Sequence, residues 1–258
     1  MKDYDIKIVV TDLITDDNWR KFLSRFLYNR KLTEDIARWS PNIALFDQSN
    51  ITKKKFVAIV KKLGIELGVV ATFGKIIPGE IIDCIPKGII NVHPSLLPKY
   101  RGANPIFWSI RNGEKAFGIT IHYVDEEIDA GDIILQKRIV IEDFYTIVDC
   151  RKLFINEGVS MLQEAIGILS KHDIKGVPQN NDDATYYPPA REEYRTLDVN
   201  EHGYAEMRNI IRASMDLGGA IFRYRDQELL VHSIARCCPK RRRFIEIKRA
   251  NERFFLLY

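Results

Sequence analysis

Apolar and polar positions switch between two spacings along this chain, and the switches mark its elements. The first apolar run, Ile6–Val10, reads as a short strand. Residues 17–38 have helical composition, with Trp19, Phe22, Leu23, Phe26 and Leu27 spaced to line one helix face. Asn42–Phe46 is a second short apolar run, and Thr52 is placed to cap a helix over Lys53–Leu63 with a lysine-rich outer face. Leu67–Thr72, Lys87–Ile90 and Gly118–Asp125 read as buried strands. Strands that alternate with helices in this way predict an α/β fold built on a mainly parallel sheet.

The pattern changes after Ile141. A long helix is predicted over Tyr145–Ser170, with Leu153, Ile155, Val159, Leu162, Ile166 and Leu169 at helical period. Pro178–Asn200 is polar and interrupted by Pro188-Pro189, which punctuates regular structure. The expected organisation is therefore a domain over 1–178, a linker over 179–200 and a small unit over 201–258. That last unit reads as a helix near Gly203–Ser214 and a small antiparallel β unit: Ala220–Tyr224, Leu229–Ile234, Phe244–Ile247 and Phe254–Tyr258.

Composition narrows the class without naming it. A chain of 258 residues holds one large or two small domains with sequence enough for a buried core. No apolar run approaches the roughly 20 residues that span a bilayer, and Met1–Asp5 carries no secretory pattern. Cys84, Cys150, Cys237 and Cys238 fit no zinc spacing. Reduced thiols, a cytoplasmic location and no metal are the expectation. The net charge of +4 selects no partner. Lys240–Arg243 is four cations in a row, either a solvated turn between strands or a contact for phosphates.

The chemistry concentrates in Asn91-Val92-His93-Pro94-Ser95-Leu96-Leu97-Pro98-Lys99-Tyr100-Arg101-Gly102. It follows the strand at Lys87–Ile90, so Asn91 and His93 project to one side at its C-terminal end. Ligands sit at that edge in open α/β sheets. An amide donor beside an imidazole suits a reaction in which an oxyanion forms and a proton moves. The strand Gly118–Asp125 leads to the turn Glu126–Asp132, which carries Asp129 between Ile128 and Ala130-Gly131. Taken singly, Asn91 reads as a strand-end cap, His93 as a satisfied core histidine and Asp129 as a turn residue. The phase of the second strand does not decide which way His122 points.

Together these segments resemble the folate-dependent formyltransferase family, whose Asn-x-His-x-Ser-Leu-Leu-Pro-x-x-Arg-Gly pattern and signature around Ile128–Gly131 are both matched. The resemblance implies a Rossmann-like, mainly parallel sheet. It implies Asn91, His93 and Asp129 as catalytic residues and 10-formyltetrahydrofolate as co-substrate. It places the folate head against Phe73, Gly74, Lys75, Ile76 and Ile77, with Asp125 and Ile128 on the other wall, and acceptor contacts at Arg101, Gly102 and Asn104. Ile6–Asp12 and Ile43–Thr52 look like the family's second and third strands, so its first strand is missing here, as in a shortened reading frame. Asn104–Trp108 and His122 look most like members acting on nucleotide-linked amino-deoxy sugars in O-antigen and lipopolysaccharide synthesis. That reading expects a small-molecule nucleotide sugar as partner, no nucleic acid or membrane, and a homodimer through the C-terminal region. The alternatives are a methionyl-tRNA formyltransferase and a non-catalytic folate-binding homologue.

Overall fold

The computed structural model describes residues 8–11, 44–47, 53–71, 76–239, 243–249 and 252–258, in two compact units, 1–90 and 91–258. The expected helix over 17–38, the Thr52 cap and the question of a missing first strand lie outside the described residues.

In the first unit, strands β1 (Ile8–Thr11) and β2 (Ala44–Asp47) pair in parallel, Ile8 against Ala44. Helix α1 (Lys53–Leu63) turns Val60 inward and keeps Lys61 and Lys62 in its last turn, where the helix dipole favours cations. Gly64, at φ 60°, ends it. Strand β3 (Gly68–Val70) follows, then the short helix α2 (Gly79–Ile82) and strand β4 (Ile89–His93). A Cβ at Gly68 would lie 2.8 Å from Ile89 Cγ1, so close strand approach requires glycine there.

β4 begins in the first unit and ends in the second, where its neighbour in the sheet is β6 (Ala116–Tyr123), itself beside β7 (Ile133–Val140). Between β4 and β6 come β5 (Arg101–Gly102) and helix α3 (Pro105–Arg111), buried from Pro105 to Ile110. Strands β6 and β7 form an antiparallel pair with a bulge between Ile121 and His122. Helix α4 (Ile147–Leu169) starts at a capping box in which Thr146 and Asp149 satisfy each other's backbone N–H. Its buried face is Ile147, Cys150, Gly158, Met161, Ala165 and Leu169. Ile155 and Val159, expected on that face, are exposed instead. The helix packs on β4 there, where a Cβ at Gly158 would meet Val92 Cγ1 at 3.5 Å, an ordinary contact.

Residues 178–200 carry a 3₁₀ turn at Asn181–Asp183, strand β8 (Tyr186–Tyr187) and helix α5 (Glu192–Arg195). β8 pairs in parallel with β5. The chain then forms α6 (Tyr204–Ala213), the hairpin β9 (Ala220–Tyr224) with β10 (Gln227–Val231), and the sheet β11 (Ser233–Ala235), β13 (Glu252–Leu257), β12 (Phe244–Arg249). The expected single run Leu229–Ile234 is split at His232 between two sheets. Met207, Ile210, Phe222, Val231, Phe254 and Leu256 form the core of this part. Each buries a side chain worth about 1.5–3 kcal/mol. The expected α/β class with a parallel-strand sheet and small antiparallel sheets is the class observed.

Candidate active site

The site grows from the end of β4. His93 is only 4% exposed, and Asn91 beside it is half-buried. The loop after β4 is folded by polar side chains from the neighbouring strands. Thr120 Oγ1 donates to the Ser95 carbonyl at 2.7 Å and accepts from Leu97 N–H and Gln136 Nε2. A Cβ at Gly118 would sit 2.4 Å from Leu96, which explains glycine on that strand. The loop turns Tyr100 into the left-handed region, φ 62°, and brings its carbonyl 2.9 Å from His93 Nε2. A carbonyl only accepts, so Nε2 carries a hydrogen. Nδ1 is left to face Asp129 Oδ1 at 3.5 Å. A lone pair there opposes the carboxylate, whereas a proton there makes a charged hydrogen bond with it.

Asp129 sits in the turn between β6 and β7 with φ 52°. Few residues other than glycine take that conformation. Its Oδ2 accepts the Gly102 N–H at 2.9 Å, and its Oδ1 accepts from Asn91 Nδ2 at 3.3 Å. Asn91 Nδ2 also donates to His122 Nε2 at 3.2 Å. With acceptors on both sides, only an inward NH₂ suits Asn91. His122 donates from Nδ1 to the Tyr123 carbonyl at 2.7 Å, leaving Nε2 as the acceptor. Burial lowers its pKa to about 4, with the His93 charge adding and Asp129 opposing. His122 is therefore neutral near pH 7, and its lone pair aims the Asn91 amide.

The structure thus brings Asn91, His93 and Asp129 together, and it adds the Gly102 backbone N–H to them. Arg101 goes elsewhere. It is 1% exposed, and its guanidinium donates to Gln179, Asn181 and the Tyr186 hydroxyl. Asn104 is exposed at φ 53°, with Oδ1 accepting the Ala190 N–H. Asp125 Oδ1 accepts the Glu127 N–H, and partial burial raises its carboxyl. Ile128 is 50% exposed beside Asp129. In the first unit Ile76 is exposed and Ile77 half-buried, while Phe73, Gly74 and Lys75 lie outside the described residues. Among the described residues no cluster of His, Cys, Asp or Glu is arranged to hold a metal.

Sequence reasoning missed Gln179, Thr185 and Tyr186, which hold the Arg101 loop from the segment read as a linker. Two-residue strands have no period to detect. It also left His122 open, because β6 is buried on both faces from Phe117 to His122 and its pattern does not mark which face meets the site.

An amide donor, a buried imidazole and a carboxylate, gathered at the end of one strand with no nucleophilic hydroxyl or thiol among them, make a site for transfer directly between substrates. Residues 7–166 match the Formyl transferase family, and the chain belongs to it. A methionyl-tRNA formyltransferase from Acetivibrio thermocellus is 34% identical over 190 residues, covering 74% of this chain and 61% of that protein. This chain thus spans about three fifths of that relative's length. Among solved structures, HypX from Aquifex aeolicus in complex with tetrahydrofolic acid superposes with TM-score 0.67 at 20% identity, over 97% of this chain and 43% of that one. A sugar N-formyltransferase from a Shewanella species gives TM-score 0.63 at 20% identity, over 88% of this chain and 96% of that one. At such identities the likeness is one of fold. No described helix is long and apolar enough to cross a membrane.

Proposed function

We propose that this protein is an N-formyltransferase that moves the formyl group of 10-formyltetrahydrofolate to the amine of a nucleotide-linked amino-deoxy sugar. The observation that carries the transfer chemistry is the convergence of Asn91, at 3.3 Å, and His93, at 3.5 Å, on the Asp129 carboxylate in a chain of this family.

The acceptor amine attacks the formyl carbon, a C–N bond forms, and the bond from that carbon to N10 of the folate breaks. A proton leaves the amine and one reaches N10. The Asn91 amide, whose two hydrogen bonds at 3.2 and 3.3 Å are long ones, donates to the tetrahedral oxyanion. His93 Nδ1 and Asp129 Oδ1 face each other at 3.5 Å, and the pair takes up the proton that the amine sheds. The Val124–Ile128 loop fits the flat folate head: Ile128 offers an apolar surface, and Asp125 a carboxyl for ring N–H groups.

For the acceptor, Asn104–Trp108 and His122 support the sugar. The sequence relatives named methionyl-tRNA formyltransferases support the second reading, charged initiator tRNA. A panel of nucleotide-linked amino sugars and methionyl-tRNA, each assayed with 10-formyltetrahydrofolate, decides between them. Formylation of a sugar amine at rates well above those on tRNA is expected. Comparable or faster formylation of methionyl-tRNA overturns the sugar assignment.

A further inference from the structure

We propose that Gln179 and Arg101 form a clamp that holds Asp129 in its left-handed backbone conformation and so sets the position of its carboxylate. Both are positioning residues, and the inference rests on the formyltransferase reading above. Asp129 has φ 52° without being glycine. Asp enters that region more readily than most side chains but far less so than glycine, and it stays there where its surroundings over-determine it. What surrounds it here is Gln179. Its Nε2 donates to the carbonyls of Asp129, at 2.9 Å, and Gly131, at 2.7 Å, on either side of the turn. Its Oε1 accepts from Arg101 Nε at 3.1 Å and Nη2 at 2.8 Å. The amide is fully used, and its orientation is fixed by what each end meets.

Arg101 closes the arrangement from the other side. Its remaining contacts are Asn181 Oδ1 and the Tyr186 hydroxyl, both neutral oxygens. The next residue, Gly102, gives its N–H to Asp129 Oδ2. One buried cation thus anchors both grips on Asp129, the backbone grip through Gln179 and the carboxylate grip through the strand it belongs to. Its charge also reaches the site, lowering the proton affinity of His122 and of Asp125.

The test uses Gln179→Met, which keeps length and removes the donors, and Gln179→Glu, which keeps an acceptor for Arg101 but cannot donate as carboxylate. Each is made alone and in an Asp129→Asn background. If the clamp acts through Asp129, kcat falls about 100-fold with little change in KM, and the same substitution costs under about 3-fold once Asp129 is Asn. Equal losses in both backgrounds, or an unaltered kcat, overturn the clamp. A crystal structure of Gln179→Met gives a readout without turnover. The Asp129 carboxylate should leave the Gly102 N–H, and its staying in place overturns the clamp even if wild-type protein transfers no formyl group. Wild-type silence with every acceptor counts against the functional reading alone.

Discussion

At the scale of single residues, three neighbouring polar groups, Asn91, His93 and His122, do different work. Asn91→Ala removes an oxyanion donor, and His93→Ala a proton carrier. Each should lower turnover by about 100-fold or more, while folate binding measured by fluorescence or calorimetry changes little. Near-native turnover of either variant would show that the chemistry lies elsewhere. His122 makes a different prediction. Its pKa in the folded protein, about 4, is below the ordinary histidine value of 6.5, so the unfolded chain binds the proton more readily. Its contribution to stability is complete above about pH 6.5 and is lost as the pH falls toward 4. His122→Gln should flatten that acid-side loss in denaturant titrations. An unchanged pH dependence would mean that His122 is not held neutral by its burial. Asn91, His93 and Asp129 were picked out in the sequence by the resemblance of their two segments to the formyltransferase family, and the structure brings both Asn91 and His93 to the Asp129 carboxylate. The direction of His122 was not legible, because both faces of its strand are buried and the pattern does not mark which way it points.

At the scale of elements, the two-residue pair β5–β8 does more than its length suggests. It fixes the backbone N–H that holds Asp129, and it is kept tight by Gly102 at φ 94°, where a Cβ would lie 2.5 Å from the Tyr187 carbonyl oxygen. Gly102→Ala should cost about 1–3 kcal/mol in unfolding free energy, from positive φ and the clash together. It should also depress turnover by moving the N–H. Wild-type stability and activity in this variant would show that the pair is loose. The polar, proline-broken composition of 178–200 was read as a linker because nothing periodic marks it. Yet Thr185, Tyr186 and Pro188 accept hydrogen bonds from Tyr100, Arg101 and Trp108. Long elements were easier. Helix α4 occupies Ile147–Leu169 against an expected Tyr145–Ser170. Its inward face was misjudged because apolar spacing alone does not say that Gly158 and Ala165, rather than Ile155 and Val159, are buried.

At the scale of the whole molecule, the residues from Asn91 onward, site and C-terminal β sheets alike, lie in one compact unit. The basic run lies toward its end, with Arg243 just before β12 and Lys240, Arg241 and Arg242 outside the described residues. If the acceptor is a nucleotide sugar, replacing all four cations with Ser leaves its formylation within about 2-fold. A chain that binds tRNA through them would lose affinity by orders of magnitude, with a shallower salt dependence. The central claim is direct formyl transfer at Asn91, His93 and Asp129. It is tested most directly by following a saturating nucleotide-linked amino sugar with 10-formyltetrahydrofolate in wild type and Asp129→Asn, with folate affinity and thermal midpoint measured on the same samples. The account predicts formylated amine from the wild type and a rate about 100-fold or more lower from Asp129→Asn, with folded protein and folate affinity retained. Equal rates from the two proteins would contradict it.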